Sequence, residues 1–182
     1  MAIKSTIFKV DLQISDMDRN HYQNHILTIA RHPSETDERM MARILIFALH
    51  ANEYLYFTKG LSTDDEPDIW LKNLNNEIDI WIDLGQPDEK RIRKACGRAK
   101  QVFIYTYSGS SADIWWNQIN SKLDRFDNLS VINLPTASVK SLSKLTQRSM
   151  QLQCSIQDQI CWLANGYDTV QIEPVIWKEI NR

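Results

Sequence analysis

Between Asp64 and Glu89 the chain carries nine carboxylates: Asp64, Asp65, Glu66, Asp68, Glu77, Asp79, Asp83, Asp88 and Glu89. The only base in that span is Lys72. So many acids on neighbouring segments repel one another unless water or a cation screens them. Oxygen donors of this type suit Mg²⁺ or Mn²⁺. Asp68 follows Pro67 at the start of one apolar segment, and Asp83 lies near the end of the next. If those segments pair as a hairpin around Leu74-Asn75-Asn76, Asp68 and Asp83 meet at one edge and share a metal. Two carboxylates holding a divalent ion that activates water and neutralises developing charge is the arrangement phosphodiester hydrolysis needs.

The elements that must position this pair are legible from periodicity. Thr6 to Ser15 alternates and His21 to Ala30 follows a polar loop, which predicts an N-terminal hairpin. Met40, Met41, Ile44, Leu45, Phe47 and Ala48 recur at helical spacing and predict a helix from about Glu35 to Ala51, with Ser34 and Asp37 approximating a capping box. Strands are expected at Tyr54–Thr58, from Asp68, and at Ile78–Leu84, with Asp79, Trp81 and Asp83 on a polar face opposite Ile78, Ile80, Ile82 and Leu84. Pro87-Asp88-Glu89 opens a helix whose Ile92, Ala95, Cys96 and Ala99 form a core stripe. Val102–Tyr107 reads as a buried strand, Ser110–Leu123 as a helix capped by Ser110 with Asp113, Leu129–Leu134 as a strand, and Ser138 to about Arg148 as a helix. The tail reads as β-segments Gln151–Gln157, Ile160–Ala164 and Thr169–Glu173, with a turn at Asn165-Gly166. The reading is one α/β domain over residues 1–182, with a mixed sheet flanked by helices: a hairpin at about 6–30, a core at about 34–148 and terminal β-segments at about 150–174. The two terminal β-regions are expected to pack together, since neither buries its apolar face alone.

Composition narrows the classes. The 182 residues are 43% hydrophobic and 24% charged, values of a globular chain. A formal net charge of -2 lacks the basic excess of a dedicated non-specific nucleic-acid binder. Three cysteines, Cys96, Cys154 and Cys161, make no CxxC and no disulfide framework. With no apolar leader and no run near the ~18 residues of a membrane helix, the expected location is the cytoplasm and no membrane partner is expected.

Long strings also resemble a known group. Asp16-Met17-Asp18-Arg19, Ala30-Arg31-His32-Pro33-Ser34-Glu35-Thr36-Asp37-Glu38-Arg39-Met40, Phe47-Ala48-Leu49-His50-Ala51, Glu66-Pro67-Asp68, Gly85-Gln86-Pro87-Asp88-Glu89-Lys90-Arg91 and Lys94-Ala95-Cys96-Gly97-Arg98-Ala99 are similar to the YaeQ family of small bacterial proteins. The resemblance implies a restriction-endonuclease-like fold of the PD-(D/E)XK nuclease superfamily. In that motif a lysine stands two residues after the second acid, where this chain has Gly85. The expected replacement is Lys94 on the following helix, with Gln86 as a neutral helper and Arg91 as second choice.

Other candidates divide between chemistry and structure. Lys90, Lys94 and Arg98 form a stripe opposite the core stripe, and Lys140, Lys144 and Arg148 form another in a span free of acids from Asp127 to Asp158. Lys90, Arg91, Lys140 and Lys144 are the phosphate-contact candidates. Glu35 and Glu38 read as helix capping rather than as extra metal ligands. Ser108-Gly109-Ser110-Ser111 reads as a helix cap, His21 and His25 as no metal pair, and His32 and His50 as structural. Trp115-Trp116 is expected to turn one side chain outward. The leading reading is a divalent-metal-dependent nuclease or phosphodiesterase acting on nucleic acid. Its rivals are a degenerate relative that binds nucleic acid or a protein without cleavage, and a scaffold that offers its tail hairpins as an edge.

Overall fold

The computed structural model describes residues 4–58 and 65–181, so Asp64 and most of the acidic loop expected before Pro67 lie outside the described residues. The fold is mixed α/β, with two mixed sheets and four helices among those residues. The chain divides into two compact units, one holding residues 4–51 and 137–174, the other residues 52–58, 65–136 and 175–181. No helix among the described residues is long and apolar enough to cross a membrane.

In the first unit, β1 (Thr6–Asp16) pairs antiparallel with β2 (His21–Arg31). After α1 (Asp37–Leu49) and α4 (Thr136–Ser143), the strands β8 (Ser149–Gln157), β9 (Ile160–Ala164) and β10 (Thr169–Ile172) complete a sheet of order β10-β9-β8-β1-β2. The terminal β-regions therefore do merge, through a parallel β1–β8 pair. Strict alternation builds its inner face: Val10, Leu12 and Ile14 of β1 and Met150, Leu152 and Cys154 of β8 are buried. α1, which the sequence reading grouped with the acidic strands, packs here on β1 and β8.

α1 starts two residues later than expected. The Thr36 hydroxyl caps it by accepting the Arg39 amide at 3.1 Å. Glu35, left outside the helix, turns inward and binds Arg39 and Arg43, both carboxylate oxygens engaged. Arg43 is 2% exposed, and its Nη2 also donates to the Ala30 carbonyl at 3.0 Å. At the other end Arg19 donates from Nη1 to the Ala51 carbonyl and from Nη2 to the Ala48 carbonyl, while Nε binds Asp16 at 2.8 Å. A cation there satisfies carbonyls that the helix leaves open.

The second unit contains β3 (Leu55–Phe57), β4 (Ile69–Lys72), β5 (Ile78–Leu84), β6 (Ala99–Thr106), β7 (Leu129–Asn133) and β11 (Val175–Lys178), in the order β11-β7-β6-β5-β4-β3. α2 (Glu89–Arg98) and α3 (Ser110–Leu123) join β5, β6 and β7 into a parallel centre, with antiparallel strands at both edges. Ile92 and Ala95 of α2 and Ile119 and Leu123 of α3 pack on Trp81, Val102, Ile104 and Val131. β11, beyond Pro174, is a strand the sequence reading did not include.

Four expectations need correction here. The Trp81–Asp83 face of β5 is not polar and solvated: Trp81 is 1% and Asp83 3% exposed, because parallel strands under crossover helices are covered on both faces. Helix α4 stops at Ser143, whose hydroxyl turns back onto the Lys140 carbonyl at 2.6 Å, so Lys140, Lys144 and Arg148 do not share one helical stripe. Ser110 does not cap α3. Gly109 does, at φ +62°, and a Cβ on it would meet the Thr136 hydroxyl at 2.7 Å. Neither Trp115 nor Trp116 turns fully outward: the Trp115 indole donates to the Pro87 carbonyl at 2.9 Å and Trp116 stacks on Trp177.

Burial first and Arg19 second lower the pKa of His50, to about 3; burial also leads the lowering at His21 and His25, where Arg19 again contributes. Asp16 opposes this at His21, and His21 adds to it at His25. A histidine neutral when folded but protonated in the unfolded chain destabilises the fold below its unfolded value near 6.5. Stability is thus full above that pH and falls as pH drops, by at most about 1.4 kcal/mol per pH unit for one such group. Thermal unfolding followed by circular dichroism between pH 7.5 and pH 5 is expected to show a falling midpoint and a shallower fall in His50→Asn. A midpoint that holds steady or rises toward pH 5 contradicts the assignment.

Candidate functional site

β4 and β5 form the expected hairpin, turning at Asn73–Asn76, with Ile69 opposite Ile82 and Trp70 opposite Trp81. Asp68 directly precedes Ile69 and Asp83 directly follows Ile82, so the two flank the last pair of this ladder, and the Asp68 amide donates to the Ile82 carbonyl at 3.1 Å. Both carboxylates are buried, at 7% and 3% exposure.

Each is held by donors from the protein. Asp68 Oδ2 accepts the Leu84 amide at 2.8 Å. Asp83 Oδ2 accepts the Trp81 indole N–H at 3.1 Å and Arg91 Nε at 2.8 Å, and Oδ1 accepts Arg91 Nη2 at 3.1 Å. The same Nη2 reaches the Glu66 carbonyl at 2.9 Å, so Arg91 bridges the segment before β4 to the end of β5. A planar fork on a carboxylate is the strong form of this bond, and only arginine supplies it.

The sequence places Arg91 there through helix geometry. Asp88 caps α2 by accepting the Arg91 amide at 2.8 Å, which makes Arg91 the third helical residue. Helical side chains lean toward the N-terminus, and that end of α2 adjoins the end of β5. Lys94, one turn later, instead binds Asp65 Oδ1 at 2.9 Å in an exposed pair. That bond, with the Lys94 charge, lowers the Asp65 carboxyl below its ordinary range. The base on Asp83 is therefore Arg91 and not Lys94. Gly85 sits at φ +110°, where an L side chain is strained, so the backbone itself disfavours the lysine that the nuclease motif would put there.

The other candidates fall in different places. Gln86 Nε2 donates to the Ser111 hydroxyl at 2.9 Å. Lys90 is exposed on α2. Lys140 and Lys144 are exposed in the first unit, where Arg148 donates to the Ile7 carbonyl at 3.1 Å. Glu35 belongs to Arg39 and Arg43 and supplies no ligand. Trp81 and the Leu84 amide were missed because alternation put Trp81 on a solvated face and gave no hint of a backbone donor. The three cysteines are free thiols; burial raises Cys96 to about 11 and Cys154 to about 12, and pushes Cys161 up as well.

As arranged, this donor set does not fit a divalent cation. Both Asp83 oxygens hold the guanidinium, one Asp68 oxygen holds an amide, and among the described residues no three His, Cys, Asp or Glu side chains converge.

The family model described as YaeQ protein matches residues 1–174. The chain belongs to the YaeQ family. It is 46% identical over 179 residues to the YaeQ protein of Salmonella typhi, covering 98% of this chain and 99% of that one. To the YaeQ protein of Escherichia coli (strain K12) it is 45% identical over 179 residues, with the same coverage. Among solved structures, the crystal structure of YaeQ from Xanthomonas axonopodis pv. citri matches with a TM-score of 0.93 at 44% identity, covering 96% of this chain and 98% of that one. YaeQ from Pseudomonas syringae matches with a TM-score of 0.92 at 30% identity, covering 96% and 97%. The mixed α/β fold described above is thus a YaeQ fold.

In this YaeQ chain, truncating Arg91 leaves Asp83 buried and unpaired. Breaking a buried ion pair costs about 3–5 kcal/mol, and the 26% exposure of the Arg91 side chain brings the expectation to about 2–4 kcal/mol. Urea unfolding of Arg91→Ala is expected to show that loss, and Asp83→Asn with Arg91→Gln together is expected to recover part of it. A loss under about 0.5 kcal/mol in the single variant, the range of ordinary surface substitutions, contradicts the pairing.

Proposed function

We propose that this YaeQ-family protein is a nuclease-like protein of PD-(D/E)XK ancestry that binds nucleic acid without cleaving it, and in which Arg91 replaces the divalent cation. The observation that carries the reading is the two-pronged Arg91–Asp83 contact, which supplies the positive charge a buried carboxylate needs. The nucleic-acid part rests on α2, which exposes Lys90, Arg93, Lys94 and Arg98 on one helix. Lys94 and Arg98 hydrogen-bond the solvent-exposed Asp65 segment, and Arg98 also lies over the Trp81 ring, so phosphates compete most readily for Lys94.

A second reading is a Mg²⁺- or Mn²⁺-dependent nuclease, favoured by the placement of Asp68 and Asp83 at the same end of the β4–β5 hairpin and by the partial exposure of Arg91. In it Arg91 would have to leave Asp83, so that Asp68 and Asp83 would be the residues to hold the ion, whose chemistry would be to supply an activated water. Arg91, released, lies close enough to meet the phosphate.

Fluorescence anisotropy with labelled single- and double-stranded oligonucleotides of DNA and RNA, paired with calorimetric Mn²⁺ titration, separates these. The first reading expects binding that weakens steeply from 50 to 200 mM salt, a slope smaller by about 2 in Lys90→Ala with Arg93→Ala, no Mn²⁺ heat and no cleavage. Mn²⁺ binding that Asp68→Ala and Asp83→Ala both abolish, with metal-dependent cleavage, establishes the second. No oligonucleotide binding at 50 mM salt overturns the nucleic-acid part of both and leaves a protein partner.

A further inference from the structure

We propose that His21 and His25 form a two-histidine site for a borderline transition-metal dication such as Zn²⁺ or Ni²⁺. Both lie on β2 with the same side-chain parity, and their rings converge until the two Nε2 atoms stand 3.1 Å apart. The rings are nearly parallel, 22° between planes. A tetrahedral ion with nitrogen ligands at 2.0–2.1 Å spaces them by about 3.3–3.4 Å, so the two nitrogens already lie near that spacing and each ring turns by roughly 35° to aim its lone pair at the ion. Imidazole nitrogen selects Zn²⁺, Ni²⁺ or Cu²⁺ over Mg²⁺ and Mn²⁺. The site is therefore chemically distinct from the acidic pair and stands independently of the proposed function.

The surroundings suit a ligand role. A metal takes only neutral imidazole, and burial keeps both rings neutral to a lower pH than usual. His25 is fixed by edge-to-face packing on Phe47 of α1, which orients one ligand in advance. His21 is only half-buried, so an ion and its remaining water ligands reach the pair from outside. Asp16 lies opposite His21 in the β1–β2 register, and His25 lies opposite apolar Leu12. The charge nearest the pair is Arg19, which binds Asp16 through both its amide and its Nε and is thereby compensated. His50, at the end of α1, stays neutral across the working range. No third His, Cys, Asp or Glu among the described residues completes the site, so water does.

The test is calorimetric titration of the full chain with ZnCl₂, and separately NiCl₂, at pH 7.5 in a non-coordinating buffer. One equivalent is expected to bind, about tenfold or more weakly in His21→Asn and in His25→Gln, and unchanged in His32→Asn. Should His25→Gln fail to fold, His21→Asn decides alone, because that side chain reaches the surface. Absence of binding by folded wild type, or equal binding by His21→Asn, overturns the proposal and leaves a hydrogen-bonded histidine pair.

Discussion

A carboxylate placed in a parallel-sheet core must be neutralised, and in the second unit Arg91 does this for Asp83. An unpaired buried ion costs several kcal/mol, so the fork on Asp83 constrains everything around it. It sets where α2 begins, since the Asp88 cap and the Arg91 contact require the same helical frame. It also holds the segment before β4 against the end of β5 through the Glu66 carbonyl, and it brings the Trp81 indole into the same bond network. Both oxygens of Asp83, a candidate metal ligand in the sequence, are bonded to Arg91 in the structure.

The first unit solves a similar problem with different residues. α1 is buried from Met40 to Ala48, including Arg43, whose charge is met by Glu35. Its C-terminal carbonyls are met by Arg19, itself held by Asp16. Each unit therefore carries an arginine–carboxylate pair at a helix end, and in each the arginine also binds backbone oxygens. Several fixed acceptors per guanidinium make such pairs specific in geometry as well as favourable in charge.

Much of the fold was legible because period-2 and period-3.6 patterns are strong here. β1 and β8 alternate cleanly, and the Ile92–Ala95 stripe of α2 is the observed core face. The site was legible only in part. The approach of Asp68 to the end of β5 follows from the hairpin turn, which sequence identifies. The identity of the bonded base was misjudged: helical rotation turns Lys94 opposite the core stripe and leaves Arg91 on its flank, but Lys94 was preferred as the residue type of the nuclease motif, and the Asp88 cap with its N-terminal lean delivers Arg91 instead. Trp81 was misplaced because alternation in β5 looks the same for a half-exposed strand and for one covered on both faces. The meeting of His21 and His25 was invisible, since it depends on side-chain lean along a strand rather than on spacing.

The central claim is that the Arg91 guanidinium takes the cation's place on Asp83. Crystals equilibrated with MnCl₂ and measured at the manganese absorption edge test this most directly. The account predicts no anomalous peak within bonding distance of Asp68 or Asp83, with Arg91 still engaging both Asp83 oxygens. A strong manganese peak between the two carboxylates, with Arg91 swung away, would contradict it.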